Sequence, residues 1–562
     1  MNYQKNISVF KYFAVSLFLI PIYFPRIVNG EFLKKELYDL NEKLLVKNKS
    51  DVLNEEIKLL KEIKLIDEIE VLIKEINPLL LKNNFQEAII KSEFILQKLN
   101  NEDPNYEFWN LHFQINDQIG ELYLLNGQID KAENIRNKLS DILLQRLGRN
   151  NEFFISTEIK LAGILIEKGL LKEAKEKVEF SIRNIQELYG ENSLLLISPL
   201  NLSARINMEL GEFEISKESL LFALKIIKET MKNGKDNFYS EYKLLEFNQE
   251  RDYLVSLQNL GFYYSELREF NQSNYYYQKA LNLTRKNDRD SSVVYAIIIN
   301  NIANNFLNQG DFNKAEELLL EALEINEKYE TEPQIITNLQ NLGTIYKEQL
   351  LLEKAEDYLK RAVNLAENYF GKDNVNITST LNQLALVYSL NGEYEKSNKI
   401  FFRILDLQKK SFPNNHPSIS TTFNNIAYSY LYGTKSFKEA EKIYFERLKI
   451  DEDTFGKMHP RVATSNFNLG KSYFKQKLFD KAEYHFKRAL LINEKVFGIK
   501  NRELQNNLEA LAHLYYLKRD FKNANKYYIK ASKNSYDYIS EQVPYLVDQE
   551  RINLATFGMG IY

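Results

Sequence analysis

Along most of this chain a small residue returns about every 42 positions: Ala88, Ala132, Ala174, Ser216, Ser273, Ala315, Ala355, Ser397, Ala440, Ala482 and Ala524. The spacings are 44, 42, 42, 57, 42, 40, 42, 43, 42 and 42. Each anchor sits in the same frame of apolar and polar positions. Three residues earlier the side chain is apolar, as at Phe85, Leu171, Phe312, Phe437 and Phe479. Five earlier, glycine recurs at Gly127, Gly169, Gly211, Gly310 and Gly392. Nine earlier an aromatic ring is common, as at Tyr123, Tyr264, Tyr346, Tyr388, Tyr473 and Tyr515. Twelve earlier the residue is small in nine of the eleven repeats, among them Gly120, Ala162, Gly261, Gly343 and Gly470. Seven later alanine returns, as at Ala280, Ala322, Ala362 and Ala489. A fixed period of this kind marks a repeat array.

The offsets predict two antiparallel helices per repeat that cross closely. Small residues let the two backbones approach, and the aromatic ring fills the space beside the crossing. Glycine at the turn takes positive φ without a Cβ penalty. These positions resemble the tetratricopeptide repeat, whose pattern is W-x2-L-G-x2-Y followed by A, F, A and P. The run from Asn468 through Leu469 and Gly470 to Tyr473, with Ala482 and Ala489 after it, matches that pattern. The ordinary repeat has about 34 residues. The longer period here adds roughly one turn to each helix. With His416-Pro417 and His459-Pro460 before the first helix of their repeats, it is similar to kinesin-light-chain-type repeats. The resemblance covers about residues 67–533 and implies an all-α fold, a right-handed α-α superhelix of about eleven helix-turn-helix repeats.

Several stretches depart from the period. Residues 1–30 carry Lys5 and Lys11 ahead of an apolar run, Tyr12 to Tyr23, and then Val28, Asn29 and Gly30. This reads as a secretory signal peptide, with an uncleaved membrane anchor through 12–24 as the rival. Either predicts an exported, periplasmic or extracellular protein, with membrane contact only through that terminus. Residues 31–66 read as a charged helical cap, and 67–230 as an N-terminal block of repeats. The first repeat is degenerate, with Pro78 inside its expected first helix. The 57-residue spacing places an inserted loop or helix extension at 231–250, followed by a C-terminal block at 251–533. Residues 534–562 end in an apolar run. They resemble the linker that joins repeat arrays to a caspase-like CHAT peptidase domain, although no such domain is present.

Composition removes several functions. Lys plus Arg is 74 against 77 Asp plus Glu, a net charge of −3, and no basic block stands out, so nucleic-acid binding has no electrostatic support. The absence of cysteine excludes disulfides, thiol catalysis and thiolate metal sites. No phosphate loop, H-E-x-x-H or G-x-S-x-G occurs. No enzyme activity, cofactor or metal is expected, and the two His-Pro pairs read as helix entries.

One constellation points to binding. Two residues before the small position of each first helix, the C-terminal block reads Asn259, Asn301, Asn341, Gln383, Asn425 and Asn468. The preceding residues are Gln258, Asn300, Gln340, Asn382, Asn424 and Phe467, whereas the N-terminal block has Gln118, Lys160 and Leu202 at the first position. The resemblance implies that these positions face a concave groove. An amide donates and accepts, so a row of them suits a peptide backbone of any sequence. The competing reading is that the amides bond to one another between repeats. The expected function is a scaffold for a protein or peptide partner. The alternative is the sensor arm of a CHAT-type proteolytic system, and a third is self-association through the apolar C-terminus.

Overall fold

The computed structural model describes residues 84–100, 106–232, 249–286, 292–498 and 502–542, with scattered positions between 65 and 79. Residues 1–30, expected to be an export signal or anchor, nearly all of the expected charged cap, the core of the 231–250 insertion and residues 543–562 lie outside the described residues. Two compact units divide the chain, Ala14–Ile164 and a second holding Leu165–Tyr562.

The elements are helices in strict alternation. In the first unit these are α1 Phe85–Asn100, α2 Tyr106–Leu125, α3 Ile129–Leu147 and most of α4 Glu152–Glu167. Then follow α5 Leu171–Tyr189, α6 Ile197–Glu209, α7 Phe213–Lys232, α8 Gln249–Glu266, α9 Phe270–Lys286, α10 Val293–Gln309 and α11 Phe312–Lys328. The array continues with α12 Glu332–Glu348, α13 Leu352–Phe370, α14 Thr378–Leu390, α15 Tyr394–Ser411, α16 Pro417–Ser429 and α17 Phe437–Phe455. It ends with α18 Pro460–Lys475, α19 Phe479–Phe497, α20 Arg502–Leu517 and α21 Phe521–Gln542. Even numbers are the first helices of their repeats and odd numbers the second. Helix α21 runs through Gln542, so residues 534–542 belong to the last repeat helix. The fold is the expected all-α solenoid, and among the described residues there is no strand.

The repeat frame explains how the pairs lock. Every anchor from Ala88 to Ala482 is completely buried, and Ala524 nearly so. Where the anchor is serine, its hydroxyl donates to the crossing helix at the small position: Ser216 to Ala204 O, Ser273 to Gly261 O and Ser397 to Ala385 O, at 2.6–2.8 Å. The small position is set by sterics. A Cβ added at Gly343 would lie 2.6 Å from Leu359, and one at Gly470 2.5 Å from Phe486. The recurrent tyrosine ties one repeat to the one before it. Tyr346, Tyr388, Tyr473 and Tyr515 donate to Glu316, Glu356, Glu441 and Glu483, each directly after the previous anchor. The lysine before an anchor covers the ring of its own repeat, as Lys354 over Tyr346 at 5.2 Å and Lys481 over Tyr473 at 4.9 Å.

The turns share one backbone solution. The residue five before each described anchor from Ala132 on has positive φ, whether glycine or not. Gly127, Gly169, Gly211, Gly310 and Gly392 supply it in five turns, and Arg268, Leu350, Lys435, Lys477 and Arg519 in the other five. The 43-residue spacing also has a local cause. The extra residue is absorbed as a π-helical segment, Tyr430–Thr434, at the end of α16.

Successive first helices also touch one another directly, α6 with α8, α8 with α10, α10 with α12 and α12 with α14. A double layer spaced more closely on one side curves toward that side, so the first helices form the inner row of the second unit.

Candidate interaction site

The recurrent amides lie on that inner row, and most of them are buried. Asn259, Asn300, Asn341, Gln383, Asn424 and Asn425 are less than a tenth exposed, while Asn301, Asn382 and Asn468 are half-buried. One register joins them. The amide two before the small position donates to the amide three before the small position of the preceding repeat. Asn341 Nδ2 donates to Asn300 Oδ1 at 2.9 Å, Asn425 to Asn382 at 2.8 Å and Asn468 to Asn424 at 2.7 Å. The same rung joins Asn259 to Asn201 at 3.0 Å, across the 57-residue spacing. Asn201, one residue from Leu202, was not apparent in the sequence as a member of the row; its three-before position in the fourth repeat is the signal that marks it.

The carbonyl oxygens in this ladder accept more than once, as their two lone pairs allow. Asn300 Oδ1 also takes Asn338 at 3.2 Å, and Asn424 Oδ1 also takes Arg447 Nη1 at 2.8 Å. Where glutamines replace asparagines the partners change: Gln340 donates to Thr380 Oγ1, and Gln383 Oε1 accepts from Lys347 at 3.2 Å. In the first unit the same two positions hold Lys160 and Asp117, which form an ion pair. Asp117 also binds Arg136 at 2.8 Å, and Arg136 reaches Glu121 at 2.6 Å. Burial pushes the Asp117 carboxyl up, but Lys160 and Arg136 outweigh it and hold it below its ordinary value.

A second row, five after the small position, changes sign along the array. It reads Glu209, Glu266, Glu348, Tyr432 and Lys475 in the fourth, fifth, seventh, ninth and tenth repeats. Burial pushes the Glu266 carboxyl up to about 7, against the opposing pull of Arg268. At the other end, burial and then Lys475 push the Lys471 amine down to about 8. Lys471 and Lys475 each place their Nζ 5.6 Å from the ring of Tyr432, which the π-helical segment carries.

The two His-Pro pairs cap helices. His416 Nδ1 accepts from Ser418 N and His459 Nδ1 from Arg461 N, both at 3.1 Å, with Pro417 and Pro460 at the first helical position. Among the described residues no group of side chains could hold a metal ion, and no helix is long and apolar enough to cross a membrane.

Residues 254–287, 294–368 and 461–535 match family models described as tetratricopeptide repeat. The chain carries tetratricopeptide repeats. Among solved structures it is similar to the repeats of a putative kinesin light chain from Podosopora anserina, at 19% identity over 37% of this chain and 98% of that one, TM-score 0.32. It is also similar to aspartyl phosphate phosphatase F from Bacillus subtilis, at 15% identity over 71% and 95%, TM-score 0.40. A human IFIT1 dimer with PPP-AAAA matches at 16% identity over 84% and 92%, TM-score 0.40. These are likenesses of fold. No curated protein matches the chain in sequence.

Proposed function

We propose that this tetratricopeptide-repeat chain is an exported interaction scaffold, and that an extended segment of a partner protein lies along the inner row between the fifth and tenth repeats. The observation that supports it is that Asn301, Asn382 and Asn468, from the two adjoining amide positions of the first helices, are half-buried at the edge of the amide ladder. The ladder spends much of the amides' hydrogen bonding on the array itself, so the ligand meets the half-exposed members. The change from Glu266 to Lys471 and Lys475 fits a segment that is basic toward the fifth repeat and acidic toward the tenth.

The test begins with capture of a partner by the full chain and its identification by mass spectrometry. Asn301→Ala should weaken that partner by up to about tenfold, the value of one hydrogen bond at its upper range. Lys360→Ala, exposed on a second helix, should leave affinity unchanged. Equal affinity for wild type and Asn301→Ala would remove the amide row from binding. Export is tested separately: a mature protein still beginning at Met1 in the cytoplasm would end that part of the proposal.

A further inference from the structure

His416 and His459 do more than cap their helices. The Nε2 atom of His416 lies 2.7 Å from Glu167 O, 249 residues away, and that of His459 lies 3.1 Å from Glu209 O, 250 residues away. Glu167 and Glu209 are the last residues of α4 and α6, the first helices of successive repeats. A separation near 250 residues is about six periods of 42, so each contact joins one superhelical turn to the next. The turns fit closely there. A Cβ at Gly169 would fall 2.6 Å from Pro417 Cδ, and one at Gly211 3.3 Å from His459 Cδ2. Phe213 and Phe497 add an apolar contact between the same turns, with ring centroids 6.3 Å apart.

The protonation state follows from the partners. A backbone N–H must donate to Nδ1 and a backbone carbonyl must accept from Nε2, so both rings are neutral with the proton on Nε2. A second proton on Nδ1 would face the N–H that it now accepts from, and the ring could no longer serve both partners. Phe412 stacks on His416 with ring centroids 3.9 Å apart and Phe455 on His459 at 4.5 Å, which fixes the plane of each imidazole.

We propose that His416 and His459 are proton-operated latches that hold one superhelical turn against the next, and that releasing them opens the scaffold. The proposal does not depend on what the inner row binds. The charged groups around the latches are Arg461 and Asp451 from the His459 side and Glu167, Glu209 and Arg205 from the facing turn. Arg205 pairs with Glu167 at 2.8 Å and Glu209 at 3.3 Å, and Arg461 lies 3.6 Å from Asp451. Burial and then Arg461 push the His459 imidazole down to about 4 in the closed form. In an open turn the ring meets water and titrates near its ordinary value of about 6.5. The closed form is therefore fully favoured above that value, and the preference is lost as pH falls toward about 4.

The chain has no cysteine, so the full-length protein with Lys172→Cys and Asn414→Cys takes one spin-label pair across the two turns. In the latch variant both histidines become asparagine. At the corresponding entry of the eighth repeat asparagine is the cap: Asn374 Oδ1 accepts from Asn376 N at 2.9 Å, at the 3-10 turn that leads into α14. His416→Asn with His459→Asn thus keeps the caps and removes the latches. The expected result is a short distance for wild type at neutral pH that lengthens by about a helix diameter, roughly 10 Å, on acidification, while helicity by circular dichroism holds. The double variant should show the long distance already at neutral pH. A wild-type distance that stays constant until helicity falls, or a variant with the short distance at neutral pH, overturns the proposal.

Discussion

The same rung between neighbouring repeats is built from charge in the first unit and from amides in the second. Asp117 and Lys160 occupy the positions that Asn300 and Asn341, or Asn424 and Asn468, occupy further on. The repeat geometry accepts either pair because it asks only for a donor on one helix and an acceptor on the other. The consequences differ. An ion pair responds to acid and salt, and it brings a buried guanidinium, Arg136, into the same cluster. An amide rung does not titrate, needs no counter-charge and can be repeated along the row.

The largest test of this difference is Asp117→Ala. It removes the shared partner of Lys160 and of nearly fully buried Arg136, leaving Arg136 with Glu121. The expected cost is about 3 kcal/mol, at the low end for breaking a buried pair. Trp109, the single tryptophan, lies in α2 and reports this unit's urea transition by fluorescence. An unchanged midpoint would mean that the charged rung is incidental.

Asn300→Ala is the matching change in the second unit. It removes the oxygen to which both Asn338 and Asn341 donate. The expected cost is about 1–3 kcal/mol, seen in the loss of helicity with urea and not in the Trp109 transition. A cost well above that of Asp117→Ala would reverse the ranking of the two chemistries.

Acid sharpens the contrast without mutation. The Asp117 carboxyl is held below its ordinary 3.8, so its contribution is complete above that value and is lost as pH falls below it through the folded value. Added salt weakens the exposed part of the same pair. The Trp109 transition should therefore shift with salt more than the helical transition of the second unit. Equal shifts would indicate that charge matters similarly in both.

The smallest expected effect acts on a turn and serves as the reference for changes outside the rungs. Leu350 takes φ of 62° where other repeats use glycine. Leu350→Gly relieves a strain of about 1–2 kcal/mol and incurs an entropic cost of about 0.5–1 kcal/mol. A stabilisation of up to about 1 kcal/mol should appear in the second unit's urea midpoint.

The periodic sequence alone determined the helix pairs, their buried anchors and the turn position, because each is a local requirement written again in every repeat. Ala315 must be small wherever two helices cross, and Gly310 must adopt positive φ wherever the chain reverses. The amide row was visible as a position, but its use was not. That Asn341 spends its donor on Asn300 depends on the stagger between neighbouring helices, which no single repeat encodes. The positive φ of Leu350 and Lys477 was hidden as well, since neither residue type signals the left-handed conformation that the shared turn geometry requires there. Most remote from the sequence was the pairing of His416 with Glu167. It arises from small rotations accumulated over about 250 residues, and only the assembled tertiary structure brings those two backbones together.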